Sequence, residues 1–262
     1  AVARGVHCAP EQILITAGFQ GALGLVARAV LRPGDTVWVE DPGYPRGREA
    51  LHLAGARVVG VPVDGDGLDV GHALRHAPPA VLALVTPTHQ FPLGHALSLQ
   101  RRAALLEWAA TTGGWIVEDD YDSEYRYRGR PLPALKSLDR HGRVLYVGTF
   151  SKVLAPALRT GYLVLPPSLV GRFTDIAALL QPPPAPSLQA SSATFLERGD
   201  FARHIRRMRA LYGQRRAALT DALRRHLPTP LAVAPQPGGM HLQLDLPSGL
   251  DDVHLVGQLA AA

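Results

Sequence analysis

Val144-Leu145-Tyr146-Val147-Gly148-Thr149-Phe150-Ser151-Lys152 reads as a β-rich run, Val144 to Thr149, that ends on hydroxyls and a lysine. Lysine is rare in this arginine-rich chain, which carries it only at Lys136 and Lys152. A guanidinium stays charged at any workable pH, whereas a desolvated lysine can lose its proton, attack a carbonyl and form a Schiff base. Lys136, beside Ser137 and Asp139, has the setting of an ordinary polar connection, so the chemistry is sought at Lys152. The hydroxyls of Thr149 and Ser151 and the guanidinium of Arg159 suit a phosphate dianion, leaving Lys152 to reach an aldehyde carbon.

Outward from this run, short β-rich stretches alternate with longer helical patterns. The predicted strands are Ile13 to Thr16, Thr36 to Glu40, Arg57 to Val63, Val81 to Thr86, Trp115 to Asp119, Val144 to Thr149 and Gly161 to Leu165. Gln20 to Leu31, Tyr44 to Ala54 and Ser98 to Thr111 read as helices; in the last, Leu99, Ala103, Leu106 and Ala110 keep helical spacing and Ser98 suits an N-cap. This rhythm predicts an α/β fold with a mostly parallel sheet flanked by helices. The cluster Pro182-Pro183-Pro184-Ala185-Pro186 punctuates the pattern, and Ser187 is expected to cap one long helical region reaching about Leu227. We therefore expect a large domain over 1–185. Residues 186–262 would form an interdomain helix and the start of a smaller α+β domain, with strands at Leu231 to Ala234 and Met240 to Leu246.

In open α/β sheets ligands bind beyond the carboxyl ends of the strands, so the residues there carry the functional reading. Gly18, Phe19 and Gln20 follow the first strand and open a helix, offering free amides and a positive helix end to a phosphate. Trp115-Ile116-Val117-Glu118-Asp119 runs into Asp120-Tyr121-Asp122, and strand alternation puts Asp119 and Tyr121 on one face and Glu118 and Asp120 on the other. An acid can keep a pyridine nitrogen protonated and a phenol can bond the ring's 3-oxygen; taken alone, the segment also suits an acidic turn or a Mg²⁺ site. Tyr44, after Asp41-Pro42-Gly43, is placed either to stack on a planar ring or to pack a helix start. His89 and Gln90, in Thr86-Pro87-Thr88-His89-Gln90-Phe91-Pro92, follow another strand and are candidates to hydrogen-bond the same ligand.

With these blocks in view, the chain resembles fold-type-I pyridoxal-phosphate enzymes of the aminotransferase class I/II group. Val39 to Tyr44, Thr86 to Gly94, Glu118 to Tyr125 and Gly148 to Tyr162 look most like the aminotransferase-like domain of MocR/GabR-type bacterial regulators of the GntR family. The resemblance implies pyridoxal 5'-phosphate as cofactor, Lys152 as the aldimine lysine, Asp119 as partner of the pyridine nitrogen and Tyr121 as partner of the 3-oxygen. It implies phosphate contacts from Thr149, Ser151, Arg159 and the Gly18-Phe19-Gln20 turn, and ring stacking on Tyr44. His89 or Gln90 falls where aminotransferases usually place an Asn. Phe19 departs from the pattern, since a hydroxyl residue is common there, and leaves that contact to backbone amides.

Two functions fit one such pocket: sensing of an amino acid or amine by a MocR-type regulator, or full turnover by a stand-alone aminotransferase. A lyase or decarboxylase using the same cofactor has no distinguishing residue. The resemblance also implies a homodimer, and DNA contact only through a winged-helix domain absent from this chain. The formal net charge of +5 does not itself argue for nucleic acid, because the densest basic stretch, Arg203 to Arg216, is interleaved with Phe201, Ile205, Met208 and Tyr212 at helical spacing. Cys8 is the only cysteine, which excludes a disulfide framework or cysteine-based zinc site within the chain and fits a cytoplasmic setting. His72 and His76 stand four apart on a possible helix, but nothing supplies a third ligand, so no metal is expected. Ala1 in place of Met, and a final helical pattern without a stop signal, lead us to expect a segment of a longer protein. The arginine that would hold a substrate carboxylate is expected beyond the C-terminal end.

Overall fold

Strand β2 (Thr36–Asp41) shows how the chain makes its layers. Val37 and Val39 turn into one apolar core and Trp38 into another, as period-2 alternation requires of a strand covered on both faces. Residues 4–129, 132–180, 183–226, 232–233, 236–247 and 249–261 are described in this computed structural model. The remaining elements are β1 (Ile13–Thr16), α1 (Gly18–Val30), α2 (Pro45–Leu53), β3 (Arg57–Asp64), β4 (Gly67–Leu68), α3 (Val70–His76), β5 (Leu82–Val85) and α4 (Leu99–Thr112). They continue with β6 (Trp115–Asp120), β7 (Val144–Thr149), β8 (Gly161–Val164), α5 (Val170–Leu180), α6 (Pro186–Glu197), α7 (Asp200–His226), β9 (Ala232–Val233), β10 (Leu244–Asp245) and α8 (Asp252–Ala261).

The main sheet has the order β1-β8-β7-β6-β5-β2-β3-β4. Its centre, from β3 through β2, β5 and β6 to β7, is parallel, as the alternating rhythm predicts. The flanks are antiparallel: β8 runs against β7 and β1, and β4 against β3. The chain between β7 and β8 is consequently a connection without a crossover helix, and it carries Lys152 and Arg159.

One face of the sheet packs Val117, Leu145, Val147 and Leu163 against α1 and α5 through Leu23, Val26 and Phe173. The other packs Ile116, Ala83 and Val144 against α3 and α4, where Trp38 stacks on Trp108 with ring centroids 4.8 Å apart. Each fully buried aliphatic side chain contributes roughly 1.5–3 kcal/mol, so the two layers hold the strand ends in fixed relation. Ser98 caps α4 by accepting the Arg101 N–H.

Three expectations change. The single helix from Ser187 to Leu227 is two helices, α6 and α7, separated at Gly199, whose φ of +70° is a left-handed conformation that favours glycine. α6 begins at Pro186 with Ala185 at the cap position, so Ser187 lies inside the helix rather than capping it. The strand expected over Met240 to Leu246 is confined to Leu244–Asp245, paired with Ala232–Val233. Pro182, Leu227, Leu231 and Ala234 lie outside the described residues. Helix α5 was not expected, although Val170, Phe173, Ile176 and Ala177 keep helical spacing and all pack on the first core. Among the described residues no helix is long and apolar enough to cross a membrane.

Candidate functional site

The parallel strands β6 and β7 deliver their carboxyl ends to one cleft of about 240 Å³. Asp119 and Tyr121 line it from β6 and the residue just beyond. Thr149, Ser151, Lys152, Pro156 and Arg159 line it from the end of β7 and its connection to β8. Gly18, Phe19 and Gln20 come from the start of α1, and Tyr44 and Arg46 from the start of α2. Phe91 and His241 complete the wall.

Strand alternation sorts the acidic run as the sequence predicts. Asp119 faces the cleft, while Glu118 turns away and accepts the N–H groups of Leu135 and Lys136 at 2.7 and 2.8 Å. Asp120 is buried on the same far side, accepting from Arg4 Nε at 2.8 Å and from the Tyr146 hydroxyl at 2.6 Å. Arg4 also donates to Thr88 Oγ1 at 2.7 Å and to the Leu132 carbonyl. Lys136 is structural: its Nζ donates to the Val144 carbonyl.

Burial raises the Asp119 carboxyl well above the usual range, as do the nearby Asp120, Glu40 and Asp122, while Lys152 pulls it down. Such a carboxylate is short of positive partners, and a ligand bearing an N–H⁺ group would supply one. Burial also raises the Tyr121 phenol, with Asp122 and Asp119 adding to the shift, so the hydroxyl remains protonated and able to donate. Lys152 and Arg159 are exposed at the mouth of the cleft.

The α1 end of the cleft suits an anion. Gly18 opens the helix with φ +71°, and a Cβ there would stand 3.9 Å from Ser151 Oγ and from the Arg159 backbone, so the floor is low at this point. Gln20 Nε2 is a buried donor without a partner. Arg159 has φ +46° and ψ +33°, a left-handed conformation unusual for a residue with a side chain. Thr149 Oγ1 accepts the Ser151 N–H at 3.1 Å, which tightens the turn leading to Lys152.

Tyr44 meets Phe19 and Phe91 edge to face, each with centroids 5.8 Å away. His89 and Gln90 are not among the residues that line the cleft. His89 stands behind Tyr121, with Nδ1 3.0 Å from the phenolic oxygen. Gln90 is fully engaged elsewhere: its Nε2 donates to the carbonyls of Pro42 and Phe91 and its Oε1 accepts the Leu93 N–H. Phe91, next in sequence, takes the place at the cleft that was expected of Gln90. Sequence reasoning also missed Arg46, Pro156 and His241. The pair Gly238-Gly239 before His241 was the available signal for the last, because Gly239, at φ +85°, lets the chain turn against the Tyr125 backbone. Burial, against the opposing pull of Asp122, holds His241 below the usual imidazole value. His89, Asp122 and His241 offer ligand atoms within 4.8 Å of one another, a grouping the expectation of no metal did not foresee.

Residues 2–260 match the family described as aminotransferase class I and II. The chain is 43% identical over 249 residues to the "Probable rhizopine catabolism regulatory protein MocR" of Rhizobium meliloti, covering 95% of this chain and 50% of that protein. It is 33% identical over 257 residues to the 2-aminoadipate transaminase of Thermus thermophilus, covering 95% of this chain and 64% of that one. Among solved structures, the kynurenine aminotransferase of Pyrococcus horikoshii in complex with PMP superposes with a TM-score of 0.84 at 31% identity, covering 95% of this chain and 63% of its own. The chain thus spans about half the length of the MocR regulator.

Proposed function

Because the chain is an aminotransferase-like domain of the aminotransferase class I and II family, we propose that its cleft holds pyridoxal 5'-phosphate on Lys152 and receives an amino acid or amine as the sensing part of a MocR-type regulator. The observation that carries this reading is the convergence of Lys152, Asp119, Tyr121 and Arg159 on one cleft. The residues fit the group on physical grounds. A buried carboxylate short of cations, an orphaned Gln20 amide donor and a glycine-floored helix end beside Ser151 and Arg159 match a ligand with a basic ring nitrogen at one end and a phosphate at the other.

Pyridoxal phosphate, when bound, supplies an aldehyde carbon that an amine attacks and a protonated ring that takes up an electron pair. Lys152 would provide the amine for that carbon and, when not so engaged, a base able to hold a proton at Nζ. Asp119 would hold the proton on the ring nitrogen, and Tyr121 would donate to the ring oxygen. Thr149, Ser151, Arg159 and the α1 N-terminus would hold the phosphate, and Tyr44, which meets Phe19 and Phe91 edge to face, would offer the ring an aromatic surface. Lys152 and Arg159 are exposed in the single chain, and we assign their shielding to a second copy in a homodimer. On this reading DNA contact belongs to a separate winged-helix domain of the parent protein.

The likeness to the transaminase of Thermus thermophilus supports a second reading, complete amino-group transfer. The two part on one experiment. Adding pyridoxal phosphate to the purified chain should give a visible band that Lys152→Ala abolishes. An amine should then shift that band in either case, whereas sustained conversion of an added 2-oxo acid selects the transaminase. A chain that shows no band with saturating pyridoxal phosphate would overturn both.

A further inference from the structure

Behind Tyr121 lies a buried pair, His89 and Asp122, that lines no part of the cleft itself. His89 Nδ1 is 3.0 Å from the Tyr121 phenolic oxygen and 3.2 Å from Asp122 Oδ2, with the two side chains 7% and 1% exposed. The opposite ring nitrogen, Nε2, is buried and has no partner. It packs against Gly239: a Cβ on that residue would stand 1.8 Å from His89 Cε1 and 2.2 Å from Nε2. Asp122 is fixed in turn, since its Oδ2 also accepts the Met240 N–H at 3.1 Å.

These contacts decide where the imidazole carries its proton. A proton on Nε2 would be a buried donor facing a glycine, at the full cost of an unmade hydrogen bond. A proton on Nδ1 meets a carboxylate and a phenolic oxygen, both acceptors. With Nδ1 as donor, the Tyr121 oxygen is an acceptor from behind, and its own hydrogen is left to point into the cleft. The other tautomer would do the reverse: Nδ1 would accept the phenol's hydrogen and draw it away from any ligand.

We propose that His89 is a positioning residue for Tyr121, held by Asp122 and by the space at Gly239 in the Nδ1–H form, so that the phenol hydrogen is directed at an anionic ligand oxygen in the cleft. The identity of that oxygen, the 3-oxygen of pyridoxal phosphate, rests on the function proposed above. The arrangement of the three side chains does not. His89 acts at one remove from the ligand, which explains why it sits at the strand end yet lines no part of the cleft wall.

The segment that supplies Gly239 is anchored independently, which is what a positioning device needs. Gly239 N–H donates to the Tyr125 carbonyl at 2.8 Å, the Tyr127 hydroxyl donates to the Gly239 carbonyl at 3.1 Å, and Gln236 Nε2 donates to the Leu93 carbonyl at 3.0 Å. Ionisable groups facing the pair include Asp119, His241, Glu124 and Tyr125, each of which feels the charge of Asp122, and Arg4, which lines a small cavity with both.

Two measurements test this, and they fail separately. Nitrogen NMR of the chain labelled in histidine, without pyridoxal phosphate, should show His89 protonated at Nδ1 and bare at Nε2; the opposite tautomer overturns the proposal whatever the cleft binds. In the chain loaded with pyridoxal phosphate, a phenol hydrogen bond stabilises the ring oxygen as an anion, so losing it should raise the pH midpoint of the visible band by about one unit. Tyr121→Phe and His89→Leu should each cause this rise, the double variant should rise no further, and His89→Asn, whose amide nitrogen can stand where Nδ1 stands, should restore the midpoint. A midpoint unmoved by His89→Leu, or additive shifts in the double variant, would overturn the positioning role. So would tight one-to-one binding of Zn²⁺ lost in His241→Ala, which would make His89, Asp122 and His241 a cation site instead. A loaded chain with no visible band defeats the cofactor reading alone and leaves the NMR result to judge His89.

Discussion

Asp119 and Lys152 reach one cleft from neighbouring parallel strands, Asp119 near the end of β6 and Lys152 in the connection that follows β7. The carboxylate is buried, and the lysine is the cation that partly offsets the cost of burying it. Function and stability should therefore pull in opposite directions at Asp119.

A carboxyl whose value is raised by folding contributes stability that is present at low pH and lost as pH rises. Asp119→Asn should make the chain without cofactor more stable than wild type at neutral pH, with the advantage fading toward acid, as read by urea melts. The same variant should weaken pyridoxal-phosphate binding by about tenfold or more, the worth of a charged hydrogen bond. Unchanged affinity would remove Asp119 from the ring nitrogen.

Glu40 gives a pH dependence of its own. Burial raises it from 4.5 to about 7 against its bonds from the Thr86 hydroxyl and N–H and from Gln90. Its contribution is complete below the unfolded value and lost as pH rises through about 7. Relative to Glu40→Gln, which keeps an acceptor for the Thr86 N–H, wild type should lose about 3 kcal/mol between pH 4 and 8. Parallel stability curves would show that Glu40 stays ionised in the folded chain.

The ion pair of Arg4 with Asp120 is buried and has a second acceptor in Thr88. Arg4→Met leaves Asp120 charged and buried and should cost about 3–5 kcal/mol in a denaturant melt. Arg4→Met with Asp120→Asn should regain much of that loss. A double variant no better than the single would indicate that Arg4 acts through packing rather than charge.

Arg159 should discriminate phosphate from the rest of the ligand. Arg159→Ala is expected to weaken pyridoxal phosphate by about tenfold or more while leaving pyridoxal nearly unaffected, because on the proposed reading only the phosphate would meet the guanidinium. Equal losses for both would assign the residue to the left-handed turn that it occupies.

The central sheet and the cleft residues were legible because both obey short-range periodicities. Alternation along β6 is enough to separate Asp119 from Glu118 and Asp120, and the clustering of hydroxyls, Lys152 and Arg159 past β7 needs no knowledge of distant contacts. Apart from Arg46 and Pro156, which stand beside residues already singled out, the features that were missed depend on residues far apart in sequence. Arg4 finds Asp120, Met240 finds Asp122, and His241 enters the cleft from a segment read as a strand. Gln90 and His89 illustrate the same limit at closer range. Both follow β5, but the loop folds back so that Gln90 binds backbone carbonyls, His89 backs Tyr121, and the apolar Phe91 faces the cleft. The division of α6 from α7 hung on one glycine whose left-handed backbone is invisible to a hydrophobic pattern.

The most direct test of the account is to treat the loaded chain with borohydride and map the reduced adduct by peptide mass. With lysine only at positions 136 and 152, the assignment is unambiguous. The added mass is expected on the peptide carrying Lys152 and on no other. An adduct on Lys136 or the N-terminal amine with Lys152 unmodified would contradict the claim that this cleft holds an aldehyde cofactor.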